Sequence, residues 1–263
     1  MISKLKESFL LRSLFYHVLK NLDTSRKMSG SDKRLYFNAG TNLNLFFRKD
    51  ALIEPGITNN IKVLLKKNFT IYDIGANIGY YTLFFSQLAN EGKVIAFEPD
   101  PANFKYLVKN KELNNLHTVT LVNEGVSSET GISEFYQDIT TGRTSSIEVA
   151  TWHPNATKLK KVSINKTTLD EVSKVYGKPH LIKCDVEGHE VEVLRGATEV
   201  LSSNPILMLE VKDVNRVIIK NILLDNNYQF FNAELPIEHA NNSATIIEFP
   251  NVLCVHKDFI IDD

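Results

Sequence analysis

Residues 70–81 read Thr70-Ile71-Tyr72-Asp73-Ile74-Gly75-Ala76-Asn77-Ile78-Gly79-Tyr80-Tyr81, and this order decides the fold. Apolar and β-branched residues fill Thr70–Ile74, two glycines follow with three residues between them, and an apolar helical pattern begins at Tyr80. A strand that breaks at glycine and opens a helix turns tightly and admits a ligand where a Cβ would intrude. The N-terminus of such a helix presents N–H groups suited to an anion. The spacing is not the dinucleotide pattern GxGxxG, and Asp73 precedes the first glycine, where a pyrophosphate would meet it unfavourably. An amino acid group fits better: Asp73 accepts from its ammonium, and the Gly75–Gly79 turn donates to its carboxylate.

Downstream, Val94–Phe97 reads as a strand, Pro101–Asn114 as a helix and Val119–Val122 as a strand, completing a βαβαβ unit. The second strand runs into Phe97-Glu98-Pro99-Asp100. An acid at that strand end accepts hydrogen bonds from two ribose hydroxyls; the competing reading has Glu98 cap the helix at Pro101. Ribose plus amino acid points to S-adenosylmethionine. Strand and helix patterns then alternate through His180–Cys184, Glu190–Leu201, Ile206–Val211 and Val214–Asn226. Tyr228–Asn232, Thr245–Glu248 and Val252–Val255 read as closing strands. Upstream, Leu43–Phe47 is predicted as a first strand, with Ile57–Lys66 and Tyr80–Ala89 as helices. The alternation predicts an α/β fold with helices on both faces of a parallel sheet. Glu129–Asn165, rich in Ser and Thr with a short alternating piece at Ile132–Tyr136, predicts a hairpin and loops of the kind that carry substrate contacts.

Apolar residues at helical spacing, interrupted by Lys4, Lys6, Arg12 and Lys20, make Met1–Leu22 an amphipathic helix. It would cover the main domain, an oligomer partner or a membrane surface. The polar stretch Asp23–Lys33 reads as a linker, so the expected division is 1–33 as helix and linker and 34–263 as the main domain. With 30 Lys+Arg against 31 Asp+Glu, the chain lacks the basic footprint of a nucleic-acid binder. Cys184 and Cys254 sit in apolar runs without CxxC spacing, predicting buried free thiols, a reducing compartment and a cytoplasmic protein.

The DIGANIGYYT-like loop and the Phe97-Glu98-Pro99 motif resemble the class I methyltransferases. The run Leu181-Ile182-Lys183-Cys184-Asp185-Val186-Glu187-Gly188-His189-Glu190-Val191-Glu192-Val193-Leu194-Arg195-Gly196-Ala197 resembles the FkbM-type family among them. Thr168-Leu169-Asp170-Glu171 and Met208-Leu209-Glu210 extend the likeness, which covers roughly residues 45–255. It implies a Rossmann-like three-layer sandwich with a mostly parallel seven-stranded sheet and an antiparallel closing strand. It also implies methyl transfer from S-adenosylmethionine to a hydroxyl of a sugar, glycan precursor or secondary metabolite.

A sugar hydroxyl needs a base or a metal as the new bond forms. The candidates lie at the carboxyl ends of the fourth and fifth strands: Asp185, Glu187, His189 and Glu210, with Asp185 or His189 first as the base. Asp185 is alternatively a helix cap. Asp185, Glu187 and Glu210 are also hard oxygen ligands suited to Mg²⁺, though a metal-free reaction is the favoured reading. The cofactor set is Asp73, Gly75, Asn77, Gly79, Glu98, Pro99, Asn123, Gly125 and Asp185, with Asn123, Glu124 and Gly125 placed by the resemblance near adenine. Arg143 would meet an anionic substrate group or stay solvated, and Tyr136 and Trp152 would stack on a sugar or pack locally. Two other readings compete: a non-catalytic binding or assembly domain in a glycan pathway, and an NAD-linked oxidoreductase.

Overall fold

A computed structural model describes residues 15–47, 54–138, 159–237 and 249–259 of the chain. Its strands are β1 (Asp23–Lys27), β2 (Arg34–Asn38), β3 (Thr70–Ile74), β4 (Lys93–Phe97), β5 (Val119–Val122), β6 (Gly125–Val126), β7 (Gly131–Asp138), β8 (Leu159–Thr167), β9 (Leu181–Cys184), β10 (Ile206–Glu210), β11 (Tyr228–Asn232) and β12 (Asn251–His256). Its helices are α1 (Leu43–Phe47), α2 (Pro55–Leu64), α3 (Tyr80–Leu88), α4 (Pro101–Leu113), α5 (Leu169–Tyr176), α6 (Glu190–Arg195), α7 (Thr198–Leu201) and α8 (Arg216–Asp225). Seven strands form the main sheet in the order β11-β12-β10-β9-β3-β4-β5. From β10 to β5 every pairing is parallel, and β12 runs antiparallel to both of its neighbours. The expected sheet, with its antiparallel closing strand, is the one observed.

Strand periodicity explains why both faces are covered. Alternate side chains point to opposite sides, so a strand buried on both faces is apolar throughout. Ile71, Leu181, Met208 and Leu253 face α2, α3 and the β1–β2 hairpin, while Tyr72, Ile182, Leu207 and Cys254 face α5, α6, α7 and α8. Both cysteines are buried and free. The hairpin expected inside Glu129–Asn165 is β7–β8, paired from Gly131↔Lys166 to Asp138↔Leu159, with β6 on the far side of β8.

Three expectations need correction. Asp23–Lys33 is not a linker: Asp23–Lys27 pairs in register with Arg34–Asn38, and Met28, Leu35 and Phe37 are core residues. The polar residues have partners that a sequence cannot display, since the hydroxyls of Tyr36 and Tyr106 and the amide of Asn38 all donate to the Asp23 carboxylate. A division at 33/34 therefore falls inside a hairpin. Leu43–Phe47 is a helical turn rather than a strand, and short apolar runs do not separate the two by period. Phe46 N–H donates to Asn42 O and Arg26 donates to Phe46 O, which ties this turn to the hairpin. The helix predicted over Glu190–Leu201 is two helices broken at Gly196-Ala197. There Asp170 N–H donates to Gly196 O, and Asp170 Oδ1 accepts from Val200 N–H. Thr168 meanwhile caps α5 by accepting from Glu171 N–H, so the Thr168–Glu171 motif is structural. Thr245–Glu248, Arg143, Trp152 and most of the segment Met1–Leu22 expected as an amphipathic helix lie outside the described residues; residues 15–19 are helical.

Candidate active site

Chain order places the site. From β3 the chain moves outward to β4 and β5, then returns to build β9 and β10 on the other side of β3. The carboxyl ends of β3 and β9 thus flank a topological switch point, where open α/β sheets leave a crevice. A cavity of about 840 Å³ opens there, within the size range of small-molecule sites. Of the residues singled out by sequence, Asp73, Gly75, Asn77, Glu98, Pro99, Gly125, Asp185, Glu187, His189 and Glu210 line it. Gly79 and Asn123 stand behind its wall. A Cβ on Gly79, whose φ is +97°, would come 2.6 Å from Leu107 Cδ1, so this glycine lets α3 pack on α4. Asn123 Nδ2 donates to the carbonyls of Glu98 at 2.7 Å and Pro99 at 3.3 Å, bracing the turn that presents Glu98.

The amides of the glycine loop are taken up by the end of β4 and by the loop itself. Gly75 and Ala76 N–H both donate to Phe97 O, Asn77 N–H to Glu98 Oε2, Ile78 N–H to Asn77 Oδ1 and Gly79 N–H to Ala76 O. The sequence suggested that the Gly75–Gly79 turn would offer these groups to a carboxylate. They instead hold the loop's shape and clamp it to the end of β4. Gly75 has φ +78°, and a Cβ on it would lie 1.9 Å from Asp185 O, so only glycine brings the β3 and β9 turns this close.

Two buried carboxylates mark the cofactor side. Asp73 is fully buried; its Oδ2 accepts from Thr82 Oγ1 at 2.6 Å, and its Oδ1 has no hydrogen-bond partner among the described residues. Burial raises its pKa, with Lys183 and Thr82 opposing. A buried acceptor left unpaired costs free energy, and a ligand ammonium or hydroxyl removes that cost. Glu98 is 5% exposed and accepts Asn77 N–H at 2.7 Å and Asp100 N–H at 2.9 Å. Burial still pushes it up to about 8. It does not cap α4; Asp100 does, accepting from Ala102 N–H.

The acceptor side follows from strand parity. Asp73 is opposite Lys183 in the β3–β9 register, and β10 continues it so that Glu210 follows Leu209, the partner of Cys184. Asp73, Lys183, Asp185 and Glu210 therefore project from one face at adjacent strand ends. Lys183 Nζ lies 3.2 Å from Asp185 Oδ2. Burial opposes the Asp185 charge, but Lys183, a hydrogen bond with Glu210 and the nearby Lys212 more than offset it and hold this carboxyl below its ordinary value. Glu210 is pushed up to about 7 by burial and by Asp185. Lys212 pairs with Glu187 at 3.0 Å and with Glu210. Among the described residues no cluster of three or more His, Cys, Asp and Glu side chains is arranged to hold a metal ion. Asp185 does not cap a helix, because α6 starts at Glu190 with His189 at its N-cap position. His189 Nε2 lies 3.0 Å from Ser127 Oγ, which ties the β9–α6 turn to the end of β6.

Sequence reasoning missed Lys183, Glu54 and Tyr81, all of which line the cavity. Lys183 was within reach, since its parity with Asp185 puts both side chains on one face. Glu54 was not: it sits at φ +50° ahead of α2 and accepts from Tyr81 OH, a contact between segments far apart in sequence. On β7 it is Phe135 that lines the cavity, while the Tyr136 hydroxyl lies 3.4 Å from Glu134.

The family model described as the methyltransferase FkbM domain matches residues 73–230. The hexuronic acid methyltransferase AglP of Haloferax volcanii is 32% identical over 169 residues, which are 60% of this chain and 66% of the relative. Methyltransferase 1 of Beauveria bassiana is 30% identical over 144 residues, 48% of this chain and 57% of the relative. The chain thus spans just under two thirds or less of the length of these relatives. The crystal structure of an FkbM methyltransferase from Methylobacillus flagellatus aligns with 73% of this chain and 44% of its own, at 17% identity and a TM-score of 0.49.

Proposed function

This chain belongs to the FkbM methyltransferase family, and we propose that it transfers a methyl group from S-adenosylmethionine to a hydroxyl of a sugar, glycan precursor or secondary metabolite. The observation that carries the reading is Asp73 Oδ1, fully buried and unpaired among the described residues, in a cavity shared with Glu98. An ammonium-bearing ligand satisfies the first carboxylate, and ribose hydroxyls suit the second. When bound, the cofactor supplies the electrophilic methyl group. The hexuronic acid named for the Haloferax relative favours a sugar-like acceptor.

The chain's own residues would handle the proton. An alcohol is too weakly acidic to attack unaided, so a base with a pKa near the working pH is needed. Asp185 and Glu210 share a hydrogen bond and carry their charges close together, so they titrate as a pair. Above about pH 7 the pair has lost its proton and can take one from the acceptor hydroxyl. Lys183 and Lys212 stabilise that negative charge at the partly buried strand ends. His189 supports the turn through Ser127 and Glu187 is held by Lys212, so neither leads as the base.

Calorimetric titration with S-adenosylmethionine, S-adenosylhomocysteine and NAD⁺ tests the reading. Micromolar binding of the first two alone is expected. A folded protein that binds neither, or that prefers NAD⁺, would overturn it.

A further inference from the structure

Lys183 has so far appeared only as a partner of Asp185. It is 7% exposed and sits in the middle strand pair, directly opposite Asp73 in register and two residues before Asp185. The charged and aromatic groups facing it are Asp73 from β3, Asp185 from the end of β9, Glu54 from the turn before α2, and the Tyr81 ring of α3 at 4.6 Å, while β10 places the apolar Met208 opposite it in register. Burial opposes the ammonium charge, and the three carboxylates outweigh it and raise its pKa. Both Asp73 and Lys183 line the cavity, so this cation lies between the half assigned to the cofactor and the half assigned to the acceptor.

We propose that Lys183 is a positioning residue, one buried counter-ion that keeps Asp73 able to receive the cofactor's ammonium while fixing Asp185 toward the acceptor. The two acids share this ammonium, and of the two only Asp185 also has Lys212 near it. Asp73 is sealed from solvent, whereas the Asp185 side chain keeps 33% of its exposure. Without the ammonium, two carboxylates at adjacent strand ends repel each other in a medium that screens poorly. Asp73 has no water to fall back on, so it takes up a proton and ceases to be an acceptor on both oxygens. Removing Lys183 is therefore felt first in cofactor binding, although among the described residues its one ion pair within 4 Å is with an acid on the acceptor side.

The inference rests on the cavity being an S-adenosylmethionine site, and titration of the wild-type protein with S-adenosylhomocysteine tests that premise first. Given wild-type binding, Lys183→Met is expected to weaken S-adenosylhomocysteine binding at pH 7 by tenfold or more, and Lys183→Arg by threefold or less. The deciding variant is the double change Lys183→Met with Asp185→Asn, which removes the competing charge and is expected to bind at least fivefold more tightly than Lys183→Met alone. A purely packing role would make the two substitutions additive, with no recovery. If Lys183→Met does not fold, a folded double variant that binds the nucleoside supports the proposal equally. Binding by Lys183→Met at the wild-type level, or a double variant no better than the single one, would overturn it.

Discussion

Glu98 gives the sharpest test of how this site was built, because its hydrogen bonds and its ionisation affect stability separately and only the second depends on pH. Its carboxylate oxygens accept from two backbone N–H groups, Asn77 on the glycine loop and Asp100 at the cap of α4. Glu98→Gln keeps one acceptor oxygen and turns an NH₂ toward the other N–H, which costs about 1–3 kcal/mol at any pH. The second effect is the ionisation of Glu98 itself. Burial raises it from 4.5 to about 8, so between these values the folded protein holds a proton that the unfolded chain has lost. Stability therefore falls as pH rises through that window and levels off above it. At 1.36 kcal/mol per unit the whole fall is roughly 5 kcal/mol. Glu98→Gln has no ionisable group there and escapes this fall. Without added cofactor, the variant is expected to be less stable than wild type at pH 5 and more stable at pH 9, with the two urea-unfolding curves crossing in between. A difference between the two proteins that stays constant from pH 5 to pH 9 would refute the reasoning.

Three further outcomes follow from specific contacts. Gly75→Ala puts a methyl group 1.9 Å from Asp185 O at φ +78°, and both the steric and the backbone term should bring its loss of stability to about 3 kcal/mol or more, read from urea unfolding. Asn110 is buried, accepts Tyr36 N–H and donates to Tyr36 O and Ile78 O; Asn110→Ala should cost about 3 kcal/mol and speed hydrogen exchange at Tyr36, and unchanged exchange there would remove it as the link between hairpin and glycine loop. For the Asp185–Glu210 pair, carboxyl ¹³C NMR should show, besides Glu98, a glutamate titrating near 7 that disappears in Glu210→Gln; a Glu210→Gln spectrum that loses no resonance titrating in that range would exclude the pair as the proposed base.

Much of the fold was legible because the central strands are apolar on both faces, and no other packing buries such runs with helices between them. Thr70–Ile74 in the centre of the sheet came out with the predicted bounds, as did Val119–Val122 and Tyr228–Asn232 at its two edges. The hairpin at Asp23–Asn38 was hidden for the converse reason. Asp-Thr-Ser-Arg-Lys has neither β-branched density nor apolar alternation, and its order comes from Asp23 accepting the Tyr36, Asn38 and Tyr106 side chains. Polar satisfaction of that kind is a tertiary fact. Leu43–Phe47 failed differently: five apolar-rich residues carry too little period to choose a helix over a strand, and the choice was made by the Asn42 and Arg26 contacts at its ends.

The same distinction separates the residues of the site. Asp73, Glu98 and Asp185 announce themselves because each is an acid at the end of an apolar strand, and such a residue has to be placed by function or by a partner. Gly79 and Asn123 carry signals of equal strength yet stand outside the cavity, one packing α3 against α4 and the other bracing the Glu98 turn. A motif therefore reports what the loop needs in order to hold its shape as well as what the ligand needs, and one sequence does not separate the two demands. Lys183 shows the reverse case. A lysine inside the apolar run Leu181–Cys184 breaks the rule that central strands bury no charge. That violation, more than the acids around it, shows that the carboxylates at these strand ends require a cation supplied from within the sheet.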